Sequence, residues 1–182
     1  MYRLLALVTL ASMADCSALL THITGTSIPG RLFINRRFLA INPNGTVYGG
    51  TIESDNADTT FKRLAVDRNR IVIQNAITCV YLCIDRCGQL YGSKTLSDDC
   101  FMREIMEKNN YNTYYKIYDR KLTYVALKND GTPRKLQISK GRKLGKFSVY
   151  AMALLKRLSF PIYTSCPNIK NETIVQHRKC HV

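Results

Sequence analysis

The chain has 182 residues, 46% of them apolar, and carries 27 Lys and Arg against 13 Asp and Glu, a net charge of +14. A chain of this length buries roughly 70% of its unfolded surface, enough for one domain. It has no Trp, which excludes lectins that need a Gln-x-Trp in each repeat. Its three His (His22, His177 and His181) lie near the ends, so no Ser/His/Asp or Cys/His constellation shares an element and no enzyme is expected.

The chain opens with Arg3, an apolar run over residues 4–14, and then small residues. This reads as a secretory signal peptide, too short for a membrane span. Cleavage is placed after Ala14 or after Ala18. No other stretch approaches 18 apolar residues, so a secreted, extracellular protein without membrane insertion is expected. The expected division is a signal peptide over 1–18, one β-domain over 30–157 and a tail over 158–182.

One stretch then recurs three times with a period of 43: residues 38–50 (FLAINPNGTVYGG), 81–93 (YLCIDRCGQLYGS) and 124–136 (YVALKNDGTPRKL). Phe38, Tyr81 and Tyr124 fall in step, as do Gly45, Gly88 and Gly131. A fixed period of this size marks a fold built from repeated units. Each copy reads as strand, tight turn, strand. In Asn42-Pro43-Asn44-Gly45 the Pro suits the second position of a type I turn, and the Gly suits a left-handed residue that closes the hairpin. Asp130-Gly131 repeats the signal and Cys87-Gly88 is weaker. Further strands are predicted over 60–66, 70–75, 100–106 and 111–118. Four strands per repeat give twelve, and three such units closing on one axis make an all-β β-trefoil. A linear β-solenoid also repeats, but no capping segment is evident at either end. Phe38, Leu39, Ile41, Tyr81, Leu82, Ile84, Tyr124, Val125 and Leu127 are expected in the core.

There are seven cysteines. Cleavage after Ala18 removes Cys16 and leaves six, which suggests disulfides in an oxidising compartment; cleavage after Ala14 leaves an odd seventh. Cys79 and Cys83, read as one strand, stand about 13 Å apart and are too distant to pair. Cys83 could meet Cys87 across the hairpin and Cys166 could meet Cys180 in the tail, but six cysteines allow 15 full pairings and the connectivity stays open. His177, Cys180 and His181 form too weak a ligand set for a metal, and no cofactor is expected. The sequons at Asn44 and Asn171 are candidate glycosylation sites.

The charge is concentrated late in the chain. Residues 115–160 hold twelve Lys and Arg against Asp119 and Asp130, and residues 134–146 (RKLQISKGRKLGK) hold six cations and no acid. A solvated face normally interleaves both signs. Here the charge falls on the third repeat alone, as if an anion site were grafted on a symmetric scaffold. For an exported protein the polyanion is a sulfated glycosaminoglycan rather than nucleic acid, bound through counterion release.

Several long runs, in order, resemble the fibroblast growth factors: residues 91–101 (YGSKTLSDDCF), 107–114 (EKNNYNTY), 124–128 (YVALK), 130–134 (DGTPR), and Phe38-Leu39 through 43–47 (PNGTV). The resemblance covers 32 to about 150. The cysteine-rich second repeat and the added tail are similar to the divergent forms carried by insect baculoviruses. The resemblance implies a β-trefoil, not an enzyme. It implies a monomer that binds heparan sulfate and the immunoglobulin-like ectodomain of a fibroblast growth factor receptor, a host receptor tyrosine kinase, and brings two receptors together. Carried onto this chain, it points to Asn35, Lys128, Arg134, Lys135, Lys140, Arg142, Lys143 and Lys146 for heparin. For the receptor it points to Phe33, Glu104, Asn109 and Tyr111, with Glu104 and Asn109, being polar, having less reason to be buried. Departures from the family pattern are Phe33 for a Tyr, Thr51 for a frequent Arg, and Tyr150-Ala151-Met152 for Phe-Leu-Pro, with apolar Leu154 and Leu155 beyond. The alternatives are a glycan-binding protein without receptor activity, or a trefoil protease inhibitor whose braced loop is the Cys83 to Cys87 turn.

Overall fold

The computed structural model describes residues 28–54, 56–107, 109–158, 165–167, 169, 174 and 175. Its strands are β1 (Gly30–Ile34), β2 (Arg37–Ile41), β3 (Val47–Gly50), β4 (Phe61–Ala65), β5 (Ile71–Asn75), β6 (Tyr81–Ile84), β7 (Leu90–Ser93), β8 (Arg103–Met106), β9 (Asn112–Tyr118), β10 (Lys121–Tyr124), β11 (Leu136–Ser139) and β12 (Ala153–Arg157). Two one-turn helices, α1 (Asn56–Thr59) and α2 (Ser148–Ala151), and two 3₁₀ turns (Asp98–Cys100 and Gly145–Phe147) fill connections. No helix among the described residues is long and apolar enough to cross a membrane.

The fold is an all-β trefoil. Strands β1, β4, β5, β8, β9 and β12 pair antiparallel in a ring. The ring closes between β5 and β8 through the mutual backbone bonds of Ile71 and Met102, at 2.8 and 2.9 Å. The hairpins β2–β3, β6–β7 and β10–β11 complete the three repeats.

The 43-residue period reappears as register. Phe38 pairs with Gly50, Tyr81 with Ser93 and Tyr124 with Leu136, the first and last residues of each copy. Inside them Ile41 faces Val47, Ile84 faces Leu90 and Leu127 faces Pro133. Each turn is closed the same way: the N–H groups of Gly45, Gly88 and Gly131 donate to the carbonyls of Asn42, Asp85 and Lys128, at 2.9 to 3.0 Å. The weak Cys87-Gly88 signal therefore makes the same turn as its stronger copies. In the third copy the continuous ladder stops at Tyr124 and resumes at Leu136, and only the Leu127–Pro133 bridge crosses between. Pro133 has no N–H to extend it.

Position two of each copy (Leu39, Leu82, Val125) and position four (Ile41, Ile84, Leu127) are fully buried at 0% exposure. They meet Leu32, Ile34, Phe61, Ile73, Met102 and Tyr114 in one core. Phe38, Tyr81 and Tyr124 are buried as well.

Of the pairings left open, the structure holds neither Cys83–Cys87 nor Cys166–Cys180. Cys83 bonds Cys100, and Cys79 bonds Cys166. Cys83 alternates with the core residues Leu82 and Ile84 and packs instead with Tyr81, Val72 and Phe101, where it meets the 3₁₀ turn that carries Cys100. Cys87 is itself disulfide-bonded. Cys79 is not in a strand; it precedes β6 in a turn with φ of 60°. The braced Cys83 to Cys87 inhibitor loop is thus not formed by that pair, and the tail is held by Cys79 rather than through a Cys166–Cys180 bridge. Ile169 packs on the Val72, Tyr81 and Phe101 cluster, and the Val175 N–H donates to Leu96 O at 2.9 Å. Cys16 and Cys180 lie outside the described residues, as do His22, His177 and His181.

The turn glycines do more than turn. A Cβ on Gly45 would stand 2.5 Å from Gly92 O, and one on Gly131 would stand 2.6 Å from Gly49 O. Gly141 also has positive φ but meets nothing within 4 Å. Gly141→Ala should therefore cost about 1–2 kcal/mol from the left-handed backbone alone. Gly45→Ala and Gly131→Ala should each cost about 3 kcal/mol or more, because a clash with fixed backbone is added. Urea denaturation of the three variants measures the difference.

Candidate functional site

The sequence candidates for anion binding fall into three neighbouring groups. The first forms around the third-repeat turn. Asn35 and Arg36 connect β1 to β2 with φ of 47° and 64°, the two left-handed residues of a type I′ turn. This turn aims Asn35 across the repeat boundary. Its Nδ2 donates to Leu127 O and to Asn129 Oδ1, both at 3.0 Å. Arg37 Nη2 donates to Asn129 O at 3.4 Å. Asn35, Arg36, Arg37, Thr51, Asn129 and Tyr150 line an open cleft beside exposed Lys128. Arg36 and Arg37 were not among the sequence candidates, although an Asn-Arg-Arg turn between two apolar strands was the available signal.

Lys128 holds the fifth position of its copy, where the other repeats have Asn42 and Asp85. Those two spend their side chains on their own turns: Asn42 Oδ1 accepts from the N–H of Thr46 at 2.9 Å, and Asp85 Oδ1 from that of Gln89 at 2.8 Å. In the third copy Asp130 takes over, its Oδ1 accepting from the Thr132 N–H at 2.8 Å. These Thr132 hydrogen bonds hold the Asp130 carboxyl below its usual range. Lys128 is released to face solvent.

The second group is the segment between β11 and β12. A strict period would start the last strand at Phe147; it starts at Ala153. The extra residues carry Arg142, Lys143 and Lys146, all exposed. Arg134 is half-buried and serves a different end from these. Its guanidinium lies 4.2 Å from the Tyr150 ring and 5.6 Å from the Phe147 ring, so it seats the inserted segment through cation–π contacts. Its Nε has no hydrogen-bond partner among the described residues. Arg142 and Lys143 line a second cleft with Glu107, Asn109, Tyr124 and Met152. The third group is exposed Lys135 and Lys140 on the β10–β11 side.

The receptor candidates separate into two environments. Half-buried Phe33 pairs across β1–β12 with Leu154, which is 42% exposed, and its ring sits 5.1 Å from Phe38. Asn109 is exposed; its Nδ2 lies 3.7 Å from Met152 Sδ, and its Oδ1 accepts from the Tyr111 N–H at 3.4 Å. Tyr111 is half-buried just before β9. Met152 and Leu154 flank the buried Ala153, so Phe33, Leu154, Met152 and Asn109 form one row. Leu154 and Met152 stood in the sequence only as departures from the family ending and not as receptor candidates.

Glu104 stands apart. Its carboxylate accepts from Arg63 Nη1 and, at 2.9 Å, from the Tyr114 hydroxyl. The Arg63 and Glu104 side chains are 10% and 20% exposed. Burial, then the Glu104 charge, push the Tyr114 hydroxyl well above its ordinary range. Glu104 is half-buried, and it neutralises a buried arginine that repeat one presents to repeat two. Asn44 is exposed at its turn tip, with its N–H donating to Asn42 Oδ1 at 3.1 Å. Asn171 lies outside the described residues.

The sequence profile of the fibroblast growth factors matches residues 29–149. The chain is 89% identical to the fibroblast growth factor homolog of Autographa californica nuclear polyhedrosis virus over 182 residues, 100% of both chains. It is 41% identical to the homolog of Orgyia pseudotsugata multicapsid polyhedrosis virus over 98% of this chain and 86% of that one. It is 33% identical to fibroblast growth factor 10 of Mus musculus over 64% of this chain and 57% of that one.

Removing Glu104 should unmask the Arg63 charge. Glu104→Ala is expected to destabilise the fold by about 3 kcal/mol or more, whereas exposed Asn109→Ala should stay within about 0.5 kcal/mol of the parent. Denaturant midpoints of the two variants check this before either is used in a binding assay.

Proposed function

The chain belongs to the fibroblast growth factor family, and on that premise we propose that it is a secreted ligand that binds heparan sulfate and activates a host receptor tyrosine kinase. The family is one of signalling ligands rather than enzymes. The division into a signal peptide over 1–18, a growth-factor domain over 30–157 and a tail over 158–182 belongs to this reading. So do glycans on Asn44 and Asn171.

The observation that carries the heparan sulfate assignment is the broken symmetry at position five. Asn42 and Asp85 close their turns, while Lys128 is exposed and flanked by the Asn35–Asn129 contact. Around it stand Lys135, Lys140, Arg142, Lys143 and Lys146, all exposed, with Arg134 mounting the segment that bears the last three. Sulfates would take the exposed cations, release counterions and fix the ligand at the cell surface. Signalling to growth or migration would then follow from two receptors brought together on one glycosaminoglycan chain.

The receptor assignment is supported by the row of Phe33, Leu154, Met152 and Asn109, with Tyr111 beside it. A half-buried aromatic next to the exposed Leu154 and half-buried Met152 gives a partner an anchor that costs little ordering entropy. Glu104 contributes by holding the scaffold through Arg63. Arg142 and Lys143 share a cleft with Asn109, so the glycosaminoglycan and receptor surfaces adjoin.

Two expected outcomes separate the surfaces. Neutral replacement of Arg142, Lys143 and Lys146 together should lower the salt slope of heparin binding by up to about three. An unchanged slope on heparin-agarose, read beside a cation exchanger of matched charge density, removes the site. Phe33→Ala with Leu154→Ser should weaken binding to the receptor ectodomain by tenfold or more and leave heparin elution unchanged. Parallel loss of both activities in a folded variant counts against a separate receptor row.

A further inference from the structure

We infer that the polyanion surface continues past the inserted segment, along the β9–β10 turn to the second-repeat turn, where Arg120, Lys121 and Arg86 take sulfates of a longer glycosaminoglycan chain. This rests on the heparan sulfate reading above and extends it to residues outside the inserted segment.

Three contacts assemble the surface. Asp119 and Arg120 connect β9 to β10 with φ of 43° and 63°, a type I′ pair. The Arg120 carbonyl accepts from the Lys140 N–H at 2.7 Å, which ties this turn to the start of the basic segment. Lys121 lies directly opposite Ser139 across β10–β11. Two residues back on the same face, Gln137 Nε2 donates to Arg86 O at 3.0 Å and to Thr123 Oγ1 at 3.1 Å. Residues two apart on a strand share a face and stand about 7 Å apart. The second-repeat turn that bears Arg86 is therefore within a side-chain length of Lys121.

Packing explains why Arg86 is brought here. Gly88, with φ of 79°, rests against the Gln137 side chain, which a Cβ would meet at 3.2 Å. The other two turns dock on glycines of the neighbouring hairpin, but the third hairpin has Lys135 at the corresponding place. The second turn thus leans on Gln137, two residues from Lys135. Arg86 holds the sixth position of its copy, where the others have Pro43 and Asn129.

Charge favours an anion along the whole line. Arg86, Arg120, Lys121, Lys135 and Lys140 are all exposed. The acids beside them are Asp119, in the Arg120 turn, and Asp98, whose carboxylate is paired with Lys116 at 3.1 Å. Asp85 is buried and bonded to the Gln89 N–H. A compact anion would meet one or two of these cations. A repeating, regularly charged chain would meet them in succession, and its affinity would grow with its length.

The test compares a heparin hexasaccharide with full-length heparin, titrated at several salt concentrations against the whole protein and the variant R86Q/R120N/K121Q. Asn is used at 120 because it tolerates the left-handed backbone. The parent should show a steeper salt slope on full-length heparin than on the hexasaccharide. The variant should lose up to about three from the full-length slope and keep the hexasaccharide slope. R86Q/K121Q, which leaves the turn untouched, should lose up to about two from the full-length slope alone. Equal full-length slopes for parent and variants overturn the extension while the heparan sulfate reading stands. So does an equal loss on both probes, which would place all the cations in one short site. Competition by single-stranded DNA as strong as by heparin overturns the sulfated-chain assignment. Failure of the parent to bind either probe overturns the reading beneath it as well.

Discussion

The close approach of one repeat's turn to the next repeat's backbone is the contact on which this fold depends. Gly49 N–H donates to Gly131 O, and Gly92 N–H to Gly45 O, each at 2.7 Å. A side chain at either position would push the hairpins apart and with them the buried layer of Leu39, Leu82 and Val125. Threefold closure thus needs glycine twice over in these turns, for φ and for space. Function is fitted around that requirement. The candidate anion residues occupy turn positions that packing leaves open, and the inserted segment follows the third hairpin without disturbing the ring.

Repeat two is fastened more heavily than the others. Asp99, fully buried, receives the Tyr91 hydroxyl at one oxygen and lies 2.8 Å from the Tyr118 hydroxyl at the other. Cys83–Cys100 holds the same 3₁₀ turn to the hairpin, and Lys116 of repeat three reaches Asp98 beside it. Burial keeps the Lys116 ammonium below its ordinary range despite this partner. The asymmetry is consistent with a scaffold in which repeat two supplies rigidity and repeat three supplies charge.

Much of this was legible in the sequence because it is periodic. The step of 43 gave the hairpins, and the turn residues Pro43, Gly45 and Gly131 gave their closure, since local backbone chemistry decides both. The runs over 60–66, 70–75 and 111–118 became β4, β5 and β9; the run over 100–106 became a strand only from Arg103, because the 3₁₀ turn and its disulfide occupy its start. Tertiary placement was not legible. Which cysteine meets which depends on the direction a side chain takes from a hairpin face and on what the fold packs there, as the 3₁₀ turn of Cys100 is packed on Cys83. The ion pair of Glu104 was not legible because nothing local announces Arg63, 41 residues earlier. Arg134 counted as one more surface cation until Phe147 and Tyr150 closed over it.

The Cys79–Cys166 bridge joins residues 87 apart in sequence. Synthesis proceeds from the N-terminus, so the whole trefoil emerges before the second thiol does. Until then Cys79, half-exposed in its turn, is without the partner it holds in the complete chain. Any chain ending near residue 158 would lack that partner. Such a shortened ligand would acquire a route to covalent pairing between molecules that the complete chain closes. The tail's cysteine therefore occupies, in the complete chain, a thiol of the domain ahead of it.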